Sequence, residues 1–139
     1  MAPINQLDKS NYFKGLLLLI RKNKSIQQSE KQLMKHIGIT LGFDKVFCEE
    51  AIKNLFINEY LGNEPPTFSN PELAKAFILD GITIARSDFI LSDDEKSWLY
   101  STAVSNNIEP HWIREKFNTE EDSSDPANKP LEIDRLIIE

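Results

Sequence analysis

Apolar residues in this chain recur at the spacing of amphipathic α-helices, and turn-forming residues separate six such segments. Helices are therefore predicted in NYFKGLLLLIRKN, SIQQSEKQLMKHIGITLG, FDKVFCEEAIKNLFINEYLG, PELAKAFILDGITIARSD, DDEKSWLYSTAVSNN and PHWIREKF. Apolar residues cover most of the circumference of the first helix, which is predicted to lie buried at the centre of the fold. No segment shows a convincing strand pattern, and the predicted class is all-α.

Residues that cap or open helices precede five of these segments, namely Asn11, Asp44, the pair Asn70 and Pro71, Ser92, and Pro110. Ser92 with Glu95 forms an S-x-x-E capping box. Gly42 stands where a left-handed residue ends the second helix. The third helix is predicted to end near Gly62, and Gly81 is predicted to permit close contact between helices.

An internal repeat is the strongest pattern in the chain. A shift of 65 positions, from Glu30 to Glu95, aligns the first three predicted helices with the last three without a gap. The matched pairs include Tyr12 with Phe77, Leu17 with Ile82, Arg21 with Arg86, Lys31 with Lys96, and Phe47 with Trp112. Such a match is typical of two copies of one packing unit. The prediction is a single domain, residues 1–118, with three-helix units at 10–62 and 70–118.

Composition and charge narrow the classes of protein. The 139 residues suit one domain with its own core, and the net charge of −6 disfavours nucleic acid and anionic membranes as partners. Cys48 is the only cysteine, so no intramolecular disulfide is predicted. The longest apolar run, Leu16 to Ile20, is too short to span a bilayer. Without an export signal at its start, the chain is expected in the cytoplasm.

Residues 119–139 differ in composition from the predicted domain. NTEEDSSDPANKP is acidic and poor in apolar residues, and it is predicted to be a linker. LEIDRLIIE is again apolar, and a tail of this kind is predicted to pack against a groove. Either its own domain or a neighbouring chain would provide that groove.

Two long stretches resemble the halves of the TerB-like tellurite-resistance domain family. They are YFKGLLLLIRKNKSIQQSEKQLMKHIGITLGFDKVFCEEAI and FILDGITIARSDFILSDDEKSWLYSTAVSNNI, and the resemblance covers residues 10 to 118. The family signature is a buried helix, then A-D-G-x-I-S-x-x-E, then an amphipathic helix. The resemblance implies an all-α fold of two pseudo-repeated helical units and a role in a bacterial stress-response system.

A divalent-cation site near the acidic residues of the signature is also implied by the resemblance. Asp88 matches the signature Asp, Ser92 the Ser and Glu95 the Glu, so Asp88 and Glu95 are the candidate metal ligands. Phe89 replaces the signature Gly. In the first half Asn23, Lys24 and Gln27 replace the Asp, Gly and Ser, and Glu30 is the one matching acid.

Helix capping is the alternative account of the same residues. Ser92 and Glu95 form the capping box, while Asp93 and Asp94 complement the positive end of the helix. The spacing of an EF-hand loop is absent from ARSDFILSDDE. The capping account is favoured, with no cofactor predicted apart from this candidate cation.

The remaining candidate residues point to structural roles. His36 and His111 lack the companions that a zinc site needs, and Cys48 lies on an apolar stripe typical of a core residue. Trp98, Trp112, Phe43 and Phe47 are interpreted as core aromatics, with a ligand pocket as the alternative. Basic residues concentrate in the first quarter of the chain: Lys9, Lys14, Arg21, Lys22, Lys24, Lys31 and Lys35. They indicate a face for an acidic partner, the EEDSSD linker included, or else an ordinary solvated face.

Three functional hypotheses follow. The first is a non-enzymatic TerB-like interaction or adaptor module with a protein partner, because no catalytic set is apparent in the sequence. The second is a divalent-cation sensor that uses the Asp88 and Glu95 turn. The third is an enzyme that uses acids near the core, Asp80 or Glu115.

Overall fold

The computed structural model describes residues 4–22, 25–58, 61–88, 91–120 and 131–137. These ranges contain seven α-helices and no strand, which confirms the predicted all-α class. The helices are α1 (Gln6–Arg21), α2 (Gln28–Thr40), α3 (Lys45–Lys53), α4 (Pro71–Ala85), α5 (Asp93–Ser105), α6 (Pro110–Glu120) and α7 (Glu132–Ile137). A 3₁₀ turn, Arg86–Asp88, follows α4. Within the described ranges, no helix combines the length and apolarity that crossing a membrane requires.

The boundaries of the first six helices follow the offset of the sequence repeat. They begin in two series that differ by 65 positions: Gln6, Gln28 and Lys45, then Pro71, Asp93 and Pro110. Asn5 and Asn70 cap α1 and α4 alike, since each side-chain oxygen accepts a backbone N–H three residues on at 2.8 Å. Gly42 and Asn107, also 65 positions apart, both have left-handed backbones, with φ of 99° and 59°.

The two central helices, α1 and α4, join the halves into one core. α1 packs on α2, α4 and α5, while α4 packs on α5, α1 and α2, so their contacts are reciprocal. A Cβ at Gly81 would lie only 2.9 Å from Leu19 Cδ2, which confirms the close helix contact predicted at this glycine. The apolar sides of both halves therefore merge along the α1–α4 contact.

Phe68, in the connection between α3 and α4, and the helix α7 both pack on the central helices. In the first half, Asn106, the C-cap residue of α5, holds this connection: its Nδ2 donates to Pro66 O at 2.9 Å and its Oδ1 accepts from Phe68 N at 2.8 Å. In the second half, α7 packs on α4 and α2. Its buried side chains belong to the common core: Leu131, Ile133 and Leu136. The apolar tail thus packs on its own domain, and Ile133 corresponds to Phe68 under the offset of 65.

Two predicted helix ends are wrong. α1 begins at Gln6, not after Asn11, because Asn5 provides the cap and Asn11 lies within the helix, where its amide donates to Thr67 O at 3.3 Å. α3 ends at Lys53, well before Gly62. There the backbone tightens, and Leu55 N donates to Ile52 O, three residues back.

Gly38 on α2 provides a test of how tightly the first half is packed. A Cβ there would lie 2.8 Å from Phe13 Cε1 and closer still to Cys48 Sγ. We expect Gly38→Ala to lower the free energy of unfolding by about 1–3 kcal/mol, because overpacking outweighs the better helix propensity of alanine. Denaturant unfolding measures the change.

The counterpart of Gly38 in the second half is Ala103, which is fully buried. Ala103→Gly is the matched control, and we expect it to cost about 1 kcal/mol through helix propensity and lost packing. A Gly38→Ala protein more stable than the parent would contradict the close contact.

Candidate functional site

The predicted cation-binding turn lies between α4 and α5. Asp88 ends the 3₁₀ turn, but its side chain and all of Phe89 lie outside the described part of the chain. Glu95 is fully buried. Its Oε1 accepts the Ser92 backbone N–H at 2.9 Å, and Ser92 Oγ accepts the Glu95 N–H at 3.2 Å. These reciprocal hydrogen bonds confirm the predicted capping box.

The first half uses Glu30 in the same way. Glu30 is fully buried and its Oε1 accepts the Gln27 backbone N–H at 2.8 Å. Asn23 and Lys24 lie outside the described residues. In the ranges that are described, no group of three or more His, Cys, Asp or Glu side chains is placed to hold a metal ion. Each glutamate closes a capping box, and the cation site at Asp88 and Glu95 stays a prediction.

Asp80 on α4 is a buried carboxylate that holds the tail. It is 1% exposed, and it accepts three hydrogen bonds. Tyr12 Oη donates to Oδ2 at 2.6 Å, while the backbone N–H groups of Glu132 and Ile133 donate to Oδ1 at 2.6 Å and to Oδ2 at 3.0 Å. Asp80 therefore satisfies N–H groups at the start of α7 from a different helix.

Burial dominates the electrostatics of this carboxylate. Loss of solvation raises the pKa of Asp80 to about 7, although hydrogen bonds from Tyr12 and the two backbone N–H groups act in the opposite direction. Burial, followed by the negative charge of Asp80, also raises the pKa of Tyr12 well above its usual value. His36 adds a second tie to the tail, because its Nε2 lies 2.8 Å from Asp134 Oδ1.

The two acids considered for catalysis lie in different surroundings. Asp80 is covered by the tail and surrounded by hydrogen-bond donors, so a substrate cannot reach it while α7 is docked. The Glu115 side chain is 61% exposed, with the His111 ring 3.7 Å away. Cys48 is buried, as predicted for a core residue, and burial raises the pKa of its thiol.

Exposed apolar side chains are concentrated on α3 and in the residues that follow it. Seven large apolar side chains are exposed within the described residues. Four of them lie between positions 46 and 57: Val46 (61%), Phe47 (52%), Phe56 (43%) and Ile57 (76%). We call these four residues the α3 surface. Phe47 is thus not the core residue that the sequence predicted, whereas Trp98 is confirmed in the core at 6% exposure.

A pocket of about 380 Å³ opens between α1 and α3 beside Phe47. Three aromatic rings form one wall: the Phe43 centroid lies 5.5 Å from those of Phe13 and Phe47. Leu17 adds to the apolar lining, and Lys14 and Glu50 also line the pocket. Such a pocket fits a partner's apolar side chain with polar contacts around it.

The second half carries no equivalent apolar surface in its sequence. Under the offset of 65, the counterparts of Val46, Phe47, Phe56 and Ile57 are His111, Trp112, Glu121 and Asp122. The ring of Trp112 is covered by Lys75 Nζ at 5.4 Å and Lys116 Nζ at 5.6 Å. Three of the four counterparts are therefore polar, and the fourth, Trp112, is covered by lysines.

Comparison with protein families, with curated proteins and with solved structures found no match for this chain. The TerB-like resemblance therefore rests on the motif residues alone. The α3 surface was missed from the sequence because Phe47 and Phe56 fall on the apolar stripe of the third predicted helix, which was expected to face the core. The sequence did contain one signal of this surface: three of its four residues have polar counterparts in the second half, namely His111, Glu121 and Asp122.

The raised pKa of Asp80 predicts a pH dependence of stability. Because the pKa rises from 3.8 to about 7 on folding, the folded state binds the proton more tightly. The protonated Asp80 carboxyl contributes its full stabilisation of the folded state below pH 4, and this stabilisation is lost as the pH rises through 7. Relative to Asp80→Asn, we expect the parent to lose roughly 4 kcal/mol of unfolding free energy between pH 4 and 8.

Urea unfolding at a series of pH values measures this difference. Glu115→Gln, which removes an exposed carboxylate, serves as the control. A constant difference between the parent and Asp80→Asn across this pH range would show that burial of Asp80 does not perturb its titration.

Glu95 distinguishes capping from cation binding. Because its carboxylate is buried and bonded to Ser92, we expect Glu95→Ala to cost about 0.5–2 kcal/mol of stability. Millimolar calcium, magnesium, manganese or zinc should leave the Tm of the parent unchanged. Glu30→Ala is the matched variant in the first half. Calorimetric heat on cation addition that is lost in Asp88→Ala would support a cation sensor instead.

Proposed function

We propose that this chain is a non-enzymatic helical interaction module that binds a protein partner through the α3 surface. The observation that carries the proposal is the concentration of exposed apolar side chains at positions 46–57. Exposed apolar groups concentrated in one short stretch of chain cost solvation free energy and favour aggregation, so they persist mainly where a partner covers them.

Comparison of the two halves supports this assignment. His111 occupies the position that corresponds to Val46, and lysines cover Trp112, the counterpart of Phe47. Since the same helical framework accepts a polar His111 and a Trp112 covered by two lysines, it does not require exposed apolar side chains at Val46 and Phe47. We propose that a function specific to the first half accounts for the exposure of Val46 and Phe47.

The pocket beside Phe47 gives the surface a defined anchor point. Aromatic rings of Phe13, Phe43 and Phe47 present a pre-formed apolar wall, while Lys14 and Glu50 supply charged groups of both signs. Binding energy at protein interfaces concentrates where one apolar or aromatic side chain fills such a site. We expect a partner helix or loop to insert one side chain here.

The TerB-like resemblance bears on the cellular system in which we propose that this module acts. The motif residues between 10 and 118 and the repeat of helix boundaries at 65 positions support a TerB-like module. On this basis we propose an adaptor that acts in the bacterial cytoplasm, within a stress-response system of the tellurite-resistance kind.

Variants of exposed residues test the proposal. A partner captured from a lysate of the source cell is first purified, and its affinity is then measured with the purified chain. We expect Phe47→Ser and Ile57→Ser each to weaken binding about tenfold or more, because each removes exposed apolar area. Leu7→Ser and Val104→Ser are matched controls at exposed apolar positions outside the α3 surface, and they should bind normally.

Two results would contradict the proposal. Equal loss of affinity in all four variants would remove the α3 surface as the interface. Turnover of a substrate by the purified chain, abolished by Asp80→Asn without unfolding, would replace the interaction module with an enzyme.

A further inference from the structure

A second groove lies between α2 and α3, and its lining combines lysines with apolar side chains. We call it the lysine groove. It encloses about 350 Å³ and is lined by Ile26, Lys31, Lys35, Glu49, Ile52, Lys53 and Phe56. Ile52 is 7% exposed and forms part of the core, whereas Phe56 is 43% exposed. Phe56 thus belongs both to the groove and to the α3 surface.

The charges around the groove do not cancel. Lys35 Nζ lies 2.8 Å from Glu49 Oε2, and this hydrogen bond lowers the pKa of the Glu49 carboxyl. Within the described residues, Lys31 and Lys53 make no ion pair. Three ammonium groups against one carboxylate leave the groove positive, although the whole chain carries a net charge of −6. The local charge therefore favours a negatively charged occupant.

The equivalent crossing in the second half is closed by a different contact. Lys35 and Glu49 correspond to Tyr100 and Arg114. The Arg114 guanidinium lies 5.4 Å from the centre of the Tyr100 ring, and its NH2 group donates to Tyr100 Oη at 3.2 Å. Lys53 corresponds to Asn118, so two of the three lysines have no basic counterpart. The arrangement of three lysines beside Ile52 and Phe56 thus belongs to the first half, although Lys96 and Arg114 give the corresponding positions of the second half two basic side chains as well.

We infer that the lysine groove binds an acidic segment of the protein partner that also carries an apolar side chain. The inference rests on the proposed function and adds the chemistry of the partner. The apolar side chain would pack on Ile52 and Phe56, and flanking carboxylates would pair with Lys31 and Lys53. A short acidic segment suits two lysines on an acidic chain, whereas a polyanion such as nucleic acid would be repelled by the net charge.

The ion pairs and the apolar contacts contribute differently to binding in the lysine groove. Ion pairs between exposed groups contribute little affinity, typically about 0.2–1 kcal/mol each. Affinity therefore comes mainly from apolar burial on Ile52 and Phe56, while the lysines select an acidic over a neutral or basic segment. This division implies that selectivity, more than affinity, should fall as salt concentration rises.

Three synthetic peptides test the inference on the full chain: acidic Ac-EDFLDE-NH2, neutral Ac-NQFLNQ-NH2 and basic Ac-KRFLKR-NH2. Titrations followed by two-dimensional NMR should shift the resonances of Ile52, Lys53 and Phe56 with the acidic peptide. We expect the acidic peptide to bind several-fold more tightly than the neutral peptide, and the basic peptide to cause no shifts there.

Charge reversal locates the site. Lys31→Glu and Lys53→Glu should each weaken acidic-peptide binding about tenfold, because each turns an attraction into a repulsion. Lys96→Glu reverses the counterpart of Lys31 in the second half and should bind as the parent does. Thermal unfolding of all three variants checks that they remain folded.

Several outcomes would overturn the inference. One is that the acidic and neutral peptides bind with equal affinity. Another is that Lys31→Glu and Lys53→Glu leave the shifts caused by the acidic peptide unchanged. A third is that the acidic peptide causes no shifts at millimolar concentration. A purified partner that is sensitive to Phe47→Ser but not to the lysine variants would also remove the inference, and it would leave the proposed function standing. Sensitivity of that partner to both sets would support both.

Discussion

The contact between α1 and α4 is the constraint on which the rest of the structure depends. Each of these helices is apolar around most of its circumference, so neither can be covered by its own half alone. Leu16 to Ile20 are all at most 4% exposed, which is possible because both halves surround them. Gly15 and Gly81 allow the close approach: a Cβ at Gly15 would lie 2.7 Å from Phe77 Cζ. The amphipathic helices α2 and α5 then cover the flanks of this central pair.

Local signals predicted most of the fold, and long-range contacts account for what they missed. Apolar periodicity lies within each helix, and capping residues such as Asn70 and Ser92 lie directly before the helices that they start, so most helix positions and the offset of 65 were predictable. α7 has six residues, and its start is held by Asp80, more than fifty positions away in sequence. The Glu95 cap was likewise predictable. The exposure of Phe47 was not, because an apolar stripe does not say which of its members reach the core.

The two halves share a framework but differ in what covers them. The second half has lysines above Trp112, an Arg114–Tyr100 contact, and α7 against α4. The first half presents the α3 surface and the lysine groove. Duplication of one packing unit allows such a division, because one copy can supply stability while the other accumulates substitutions that reduce solubility. The exposed apolar area on the first half therefore reduces the stability of the whole domain less than it would reduce the stability of an isolated three-helix unit.

The covalent connection between Glu120 and Glu132 has a thermodynamic consequence for the docked tail. A free peptide as short as α7 would have to meet its groove by diffusion, and its few buried side chains would give only weak association. Attachment to α6 turns this encounter into an intramolecular one with an effective concentration in the millimolar range. The hydrogen bonds to Asp80 and the His36–Asp134 contact then need to supply only modest affinity to keep the segment in place. Cleavage between the two helices would remove that advantage and leave the groove itself in place.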